Sequence, residues 1–477
     1  MGILVDQGKT SWDMLASDAA PGFQSHDSFL QHHTTLADLY SHRSGMSSCG
    51  NLVNGCEGNI LISKEDCMKV VNHQILVPER VGTFAYNSTA YDVCDDALEG
   101  LSGRSVDAFL QEHVFKALGL QGTFMKPPPV GTENVTKSYN ALDDAMPYCI
   151  PGPKLGENGV SSGSGGLWSS AVDLIKLYTC FVRSLNHERR TGESATPGSP
   201  LKQVAQLMSP RTRMLPATRM EDMFYGLGWA GVQLPNSLGH IGLNVRLMPH
   251  NMPIVGKGVP RQLVLYHQGT LPGALAVVVL VPETETVVLA MGNCLSLTDV
   301  PDWVSQIVLE EILGVPSQER VDFLAYAQKS ITVNLEWHSA IVHGLAQGRP
   351  DRPSSPKPLE LYIGTFVDPS GVFKVVVSLE KGKLSWAFQG LDSEKYELTH
   401  YCDDTFTWLQ PRNALLHRGR WVLGNDRDPS FWKVEFNFSE HGKATQLQWR
   451  HDASLSPIVY HRRPETEGSF EREGEIA

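Results

Sequence analysis

The sequence predicts an α+β fold, in which an antiparallel sheet flanked by helices is followed by a small all-β barrel. In the first 320 residues, several stretches carry apolar residues at helical spacing, and three apolar, β-branched runs separated by short turns follow them. After a Pro-rich break, apolar and polar residues alternate instead. Helices that cover an antiparallel sheet are typical of α+β domains.

Three stretches have the pattern of amphipathic helices. The first covers Thr89–Leu101 and ends at Gly103. The second begins after an N-cap at Ser105 and ends before Gly119, and the third begins after Ser170. Each prediction combines an apolar face with a residue type that favours a helix end.

The sheet of this domain is predicted from residues 262–269, 274–283 and 287–293. The turns between these runs are short enough for an antiparallel meander. A helix over residues 301–314 follows directly.

The chain divides into a first domain (1–320), a helix with a Pro-rich linker (321–357), a barrel (358–463) and an acidic tail (464–477). The barrel is predicted from two hairpins with alternating apolar residues, at residues 372–388 and 431–450. The tail lacks periodicity and is predicted to be disordered.

Composition excludes several classes of partner. The net charge of −12 argues against nucleic acid and anionic membrane surfaces, which require clustered Lys and Arg. The sequence contains neither a membrane span nor a signal peptide, which predicts a cytoplasmic protein. The remaining class of partner is a small-molecule or peptide-like substrate. The oligomeric state stays open.

The cysteines and histidines predict neither a metal nor another cofactor. The eight cysteines form no CxxC pair, so free thiols in a reducing compartment are expected, although Cys49 and Cys56 could close a loop disulfide. The histidines lack the spacing of metal ligands.

Two short segments could carry chemistry. Tyr86 lies on a loop just before the first helix, and His267 and Gly269 end an apolar strand. A single Tyr or His is more often structural than catalytic. Gly weakens a strand unless a backbone or ligand must approach closely, so the two segments together suggest a groove beside a sheet edge.

Five separated segments then give a specific resemblance. In order they are "TTLADLYSHRSGM", "FAYNSTAYDVCDDALEGLSGRSVDAFLQEHVFKALGLQGT", "GSGGLWSSAVDL", "YGLGW" and "YHQGTLPGALAVVVLVPETETVVLAMGN". Over residues 1–315 the chain resembles the class C β-lactamase and penicillin-binding-protein-like serine hydrolase family. The resemblance implies a β-lactamase/transpeptidase-like fold, and residues 358–463 look like the lipocalin-like domain of some members.

The family uses an SxxK helix, a YxN or SxN loop and a KTG or HxG strand. The resemblance implies that Tyr86 and His267 are catalytic and that Ser88 stands where Asn is usual. It also implies that Gly269 and the backbone N–H of Thr270 bind substrate, the latter as an oxyanion-hole donor. Because a Tyr has a reference pKa near 10, this chemistry needs a neighbouring cation and a nucleophilic Ser.

The SxxK motif is the missing part. In the family the SxxK helix leads into a stretch like this chain's first residues, where Ile3–Val5 and Gly8 read as the last turn of a buried helix. We therefore expect an N-terminal truncation that removes the first strands and the SxxK helix. The chain contains three other S-x-x-K sequences, which begin at Ser199, Ser354 and Ser378. They lie outside the structural context that the motif requires, and Ser199 is predicted to be a helix N-cap.

Two functions follow from the resemblance. The first is a serine hydrolase or acyltransferase that acts on an ester, amide or lactam through an acyl-enzyme. His267 in the place of Lys favours an esterase or peptidase-like member, and tailoring enzymes of secondary metabolism also belong to the family. The alternative is a catalytically dead relative that binds a ligand or protein, which Ser88 favours. The hydrolase is preferred, because a chain without the buried SxxK helix would leave the apolar partners of that helix uncovered, at a cost beyond the usual stability of about 5–15 kcal/mol. Residues 287–293 would also become an exposed apolar edge.

Overall fold

The computed structural model describes residues 1–157, 159–248, 252–420, 427–439 and 442–464. The helices are α1 (Gly2–Asp6), α2 (Ala16–Ala19), α3 (Ser28–His33), α4 (Leu36–Tyr40), α5 (Gly50–Val53), α6 (Lys64–Asn72), α7 (Thr89–Ser102), α8 (Val106–Leu110), α9 (Lys116–Leu118), α10 (Ser162–Gly165), α11 (Ala171–Thr191), α12 (Val204–Leu207), α13 (Leu243–Leu247), α14 (Val300–Ile312), α15 (Phe323–Leu335), α16 (Trp337–Gln347) and α17 (Arg412–His417).

The strands of the first part are β1 (Ser138–Ala141), β2 (Pro147–Ile150), β3 (Thr212–Arg213), β4 (Met223–Tyr225), β5 (Ala230–Leu234), β6 (Asn236–Ser237), β7 (Ile254–Val255), β8 (Gln262–Leu271), β9 (Ala274–Val281), β10 (Thr286–Gly292) and β11 (Cys294–Leu295). Those of the second part are β12 (Gly364–Val367), β13 (Lys374–Glu380), β14 (Lys383–Phe388), β15 (Lys395–Glu397), β16 (Thr399–Cys402), β17 (Thr405–Thr407), β18 (Lys433–Phe438), β19 (Ala444–Trp449) and β20 (Ile458–Arg462).

The predicted helices are confirmed, because their ends are encoded locally. Helix α7 ends at Gly103, whose φ of 68° is in the left-handed region that favours glycine. Helix α11 begins where the Ser170 side chain accepts a hydrogen bond from the Asp173 N–H. Between α8 and α9 the chain continues as a π-helical turn over Gln111–Phe115.

The predicted meander is also confirmed. Strands β8, β9 and β10 pair antiparallel in a six-stranded sheet with the order β10-β9-β8-β5-β4-β3. Val277 and Val279 of β9 belong to the core that includes Trp303 of α14, whereas Val278 and Leu280 belong to the core that includes helix α11. Successive residues thus serve opposite faces of the sheet. Among the described residues, β10 is an edge strand.

The predicted N-cap at Ser199 is wrong. Helix α12 begins only at Val204, after Gln203 has adopted a left-handed φ of 61°. Lys202 instead forms an isolated β-bridge with Ala195, so the chain reverses direction before it enters the helix. The pattern of Ser followed by Pro therefore marked a turn.

The second part is a nearly closed, nine-stranded antiparallel barrel, and both predicted hairpins are present in it. Its interior is filled by aromatic side chains that are at most 2% exposed: Trp386, Phe388, Tyr396, Trp408, Trp432 and Trp449. Ring centres such as those of Trp386 and Trp408, 5.2 Å apart, show edge-to-face packing. The described interior is thus a packed core.

The barrel contacts the first part of the chain through α17 and nearby loops. Three of the hydrogen bonds between them run from Gln389 Nε2 to the Leu61 carbonyl (2.8 Å), from the Glu57 N–H to the Arg418 carbonyl (2.7 Å) and from Asn140 Nδ2 to the Leu416 carbonyl (3.0 Å). Such bonds fix the orientation of the two parts.

Three further predictions have different outcomes. All eight cysteines are free thiols, and Cys49 and Cys56 form no disulfide. In the described part of the chain, no helix combines the length and apolar character needed to cross a membrane. The predicted disorder of the tail falls on residues 465–477, which lie outside the described residues.

Candidate functional site

Tyr86 lies on an irregular loop immediately before α7. The loop is anchored by Asn87, which is 5% exposed and whose Nδ2 donates to the carbonyls of Met46 (2.8 Å) and Ser47 (3.1 Å). Because Asn87 points inward, Tyr86 is left 42% exposed and Ser88 is exposed beside it. Ser88 makes no side-chain capping bond to α7. The loop therefore presents a phenol and a hydroxyl at the surface.

The ring of His42 packs against the ring of Tyr86. Their ring centres lie 4.1 Å apart, and the Nδ1 of His42 accepts a hydrogen bond from the Asn87 N–H at 3.1 Å. This bond places the ring hydrogen on Nε2, which is buried and has no hydrogen-bond partner among the described residues. His42 has a φ of 53°, a conformation that a non-glycine residue adopts only when its surroundings impose it.

The end of β8 forms the other wall of the site. The ring centres of His267 and Tyr86 lie 6.3 Å apart, and His267 Nε2 is 3.1 Å from the Tyr225 hydroxyl. Strand β5 pairs with β8 only as far as Tyr266, whereas β9 pairs with it through Leu271. Among the described strands, none pairs with this side of β8 at the predicted substrate-binding residues Gly269 and Thr270.

Those residues differ in their surroundings. Gly269 is exposed, and a Cβ built on it would meet no atom within 4 Å, so the space beside it is open. Thr270 is half-buried. The structure thus brings Tyr86, His267 and the open side of β8 together.

Burial keeps the two histidines of the site neutral. It lowers the pKa of His267 to about 4 and that of His42 to about 3, since removal from water disfavours the charged ring. The nearby His267 lowers the pKa of His42 further. Neither ring therefore carries a positive charge at neutral pH.

Tyr86 is a neutral phenol in this arrangement. Burial by neighbouring protein atoms raises its pKa, and the positive charge of Arg246 opposes that shift. Because Tyr86 is 42% exposed, water screens part of both effects. Arg246 follows Gly242, the N-cap of α13, which packs against the Gln268 side chain of β8.

A Ser-Lys pair does not accompany Tyr86 within the described residues. Ser199 Oγ accepts from the Ser184 hydroxyl at 2.8 Å, Ser354 bonds Asp403, and Ser378 lies on β13 in the barrel. The described chain also holds no group of three or more His, Cys, Asp or Glu side chains arranged for a metal ion.

Sequence reasoning missed His42, Tyr225 and Arg246. The motif that contains His42 carries no periodicity, and its importance comes from contacts to Asn87, 45 residues away. Tyr225 resembles any buried strand residue until its hydroxyl is seen beside His267. Arg246 lies on a five-residue helix without a sequence signal.

A helix-flanked antiparallel sheet, with a tyrosine loop facing the end of an H-x-G strand, defines the serine hydrolase-like fold of β-lactamases and penicillin-binding proteins. The Beta-lactamase family model matches residues 1–309, well over half of the chain. The chain therefore belongs to the Beta-lactamase family. A second model, of a domain of unknown function (DUF3471), matches residues 348–462.

Individual relatives are more distant. Penicillin-binding protein 4 of Amycolatopsis lactamdurans is 27% identical over 165 residues, which cover 35% of this chain and 39% of that protein. The chain thus spans about two fifths of the length of the curated relatives it matches. The octameric penicillin-binding protein homologue from Pyrococcus abyssi has a TM-score of 0.50 at 15% identity, and the match covers 96% of this chain and 84% of that one. This similarity concerns the fold.

Proposed function

We propose that the protein is a serine hydrolase or acyltransferase that forms an acyl-enzyme from an ester, amide or lactam. The observation that carries the proposal is the pairing of Tyr86 with His267, 6.3 Å between ring centres, beside the open side of β8. These groups come from distant parts of the chain, and they place two hydrogen-bonding side chains beside a strand end that is unpaired on one side.

The proposed chemistry assigns a role to each group. The nucleophilic hydroxyl attacks the substrate carbonyl, and its proton passes to the Tyr86 oxygen and then to the leaving group. The Thr270 N–H donates to the developing oxyanion. Tyr86 must be deprotonated to accept the proton, so the reaction requires a serine and a cation that reach it. The three S-x-x-K sequences that begin at Ser199, Ser354 and Ser378 do not meet this requirement.

His267 favours esters and neutral amides over anionic lactams. Its pKa of about 4 leaves it uncharged at neutral pH, and its Nε2 lies beside the Tyr225 hydroxyl. It therefore supplies a hydrogen-bonding surface, whereas a lysine in its place would attract a carboxylate.

The test is hydrolysis of p-nitrophenyl acetate together with labelling by a fluorophosphonate, which reacts with activated serines. Both are measured on the 477-residue chain and on the protein isolated from its source, with the intact mass of each. Turnover and labelling that both disappear in Tyr86→Phe support the proposal. Labelling of neither preparation would overturn it.

A second candidate function is ligand binding without catalysis. It is favoured by the neutral state of Tyr86, since a phenol donates a hydrogen bond but does not accept the proton of a nucleophile. In that case neither preparation reacts with the probe, yet carbonyl compounds raise the Tm of the wild-type chain and not that of Tyr86→Phe.

A further inference from the structure

The loop that carries Tyr86 is held by the segment 46–51. Asn87 donates to the carbonyls of Met46 and Ser47, and the Cys49 N–H donates to Thr89 Oγ1 at 3.1 Å. Both residues that flank Ser88 are therefore bonded to this segment. Any displacement of the segment must move the Tyr86 loop or break these bonds.

The other side of the same segment is held by the barrel. The Ser48 N–H donates to Asp452 Oδ2 at 3.2 Å, and Asn51 Nδ2 donates to the His451 carbonyl at 2.7 Å. Asp452 is 3% exposed, so its carboxylate bonds the segment away from bulk water. Its second oxygen accepts from the N–H and the hydroxyl of Ser454, which fixes its rotamer.

We propose that the C-terminal barrel positions the Tyr86 loop through Asp452, with the 46–51 segment as the connecting element. Asp452 is thus a positioning residue, two hydrogen bonds away from the loop that carries the reactive phenol. This inference rests on the proposed role of Tyr86. It gives the barrel, whose interior is packed, a function at the surface where it meets the first domain.

The first domain also holds the segment, which limits the expected effect. Ser47 Oγ donates to Gln74 Oε1 at 3.0 Å, and the Ser47 N–H donates to the Ile75 carbonyl. Loss of the barrel contact should therefore shift the segment without unfolding it. A small displacement at a reacting group is enough to reduce a rate strongly.

The experiment compares Asp452→Asn with Asp428→Asn. Asparagine keeps the size of Asp452 but leaves one oxygen for two sets of donors, so either Ser48 or Ser454 loses its acceptor. Asp428 is a matched control in the same barrel, since its side chain accepts from the Ser430 N–H at 2.8 Å in a similar turn. Asp452→Ala serves as a second variant, and the Tm of each variant reports folding.

Two readouts separate this inference from the proposed function. Hydrogen exchange at the Cys49 backbone N–H, which donates to Thr89 Oγ1, needs no catalysis, and we expect its protection to fall about tenfold in Asp452→Asn and not in Asp428→Asn. With an active preparation, kcat should fall about tenfold while KM changes less than about twofold.

The outcomes differ in meaning. Faster exchange at the Cys49 N–H in Asp452→Asn supports the inference, even where no preparation hydrolyses the ester and the proposed function itself fails. Unchanged exchange and unchanged kcat in both Asp452 variants would overturn it. An equal response in Asp428→Asn would also overturn it, because the effect would then come from general loosening of the barrel.

Discussion

The ion pair between Arg420 and Glu394 is buried, which makes its loss measurable. Their nitrogen and oxygen atoms lie 3.4 Å apart, and the side chains are 4% and 0% exposed. At an effective dielectric constant of about 20, two unit charges at this distance attract by about 5 kcal/mol. In Arg420→Met the carboxylate stays buried without this cation, and we expect unfolding to become easier by about 3–5 kcal/mol.

Tryptophan fluorescence during urea unfolding is a suitable assay. Trp386, Trp408 and Trp449 are fully buried in the barrel, and the Arg420 guanidinium lies 6.0 Å from the Trp408 ring centre. Five of the ten tryptophans precede residue 358, so emission contains the transitions of both parts of the chain. The barrel transition is fitted separately, because a chain with two domains need not unfold in one step. The double variant that also carries Glu394→Gln should lose less stability than Arg420→Met alone, because the unpaired charge is then removed too.

The control is Lys383→Met in the same barrel. Lys383 and Glu397 form an exposed pair, with side-chain exposures of 66% and 51%, so its loss should cost less than about 1 kcal/mol. If Arg420→Met cost no more than this control, water or another cation would have to compensate Glu394. The argument from burial would then be refuted.

The remaining predictions concern the site and the sheet beside it. Replacing Arg246 by Gln should raise the pKa of Tyr86, because a positive charge that favours the phenolate is lost; NMR titration of 13C-labelled tyrosine measures the shift. His42 has a pKa of about 3 in the folded state and 6.5 as a free group, so the unfolded state binds more protons between these values and the folded state should lose stability as the pH falls from about 6.5 to 3. The Tm of His42→Asn should depend less on pH over that window, and asparagine is chosen because it tolerates the positive φ of this position. Gly269→Ala should leave the Tm unchanged, because its Cβ meets no atom, yet reduce ester turnover if substrate lies along β8. In Gly231→Ala, on strand β5, the new Cβ would clash with the ring of Phe224 on the neighbouring strand β4, and the Tm should fall.

Sequence reasoning succeeded where a signal is local. Gly103 and Ser170 mark helix ends by their own chemistry, and the β-branched run of β9 predicts a strand. It failed where the decisive partner is distant. The chain around Ser199 has the residues of an N-cap, but a turn closed by Lys202 and Ala195 takes precedence over that preference. The role of Asn87 follows only from its bonds to residues 40 and 41 positions earlier, which anchor the loop of the site.

The two candidate functions differ in one measurable quantity, the pKa of Tyr86. Burial raises it, and Arg246 is the cation that acts against this shift in the described structure. A second cation within hydrogen-bond distance would lower it toward neutral pH and make the phenolate a base, since each nearby opposite charge favours the ionised form. Without such a cation, Tyr86 stays a neutral phenol that donates a hydrogen bond but does not take a proton from a nucleophile, and the same wall of Tyr86, His267 and β8 is suited to binding a carbonyl group. A titration of Tyr86 in the protein isolated from its source therefore discriminates between catalysis and binding before any substrate is known.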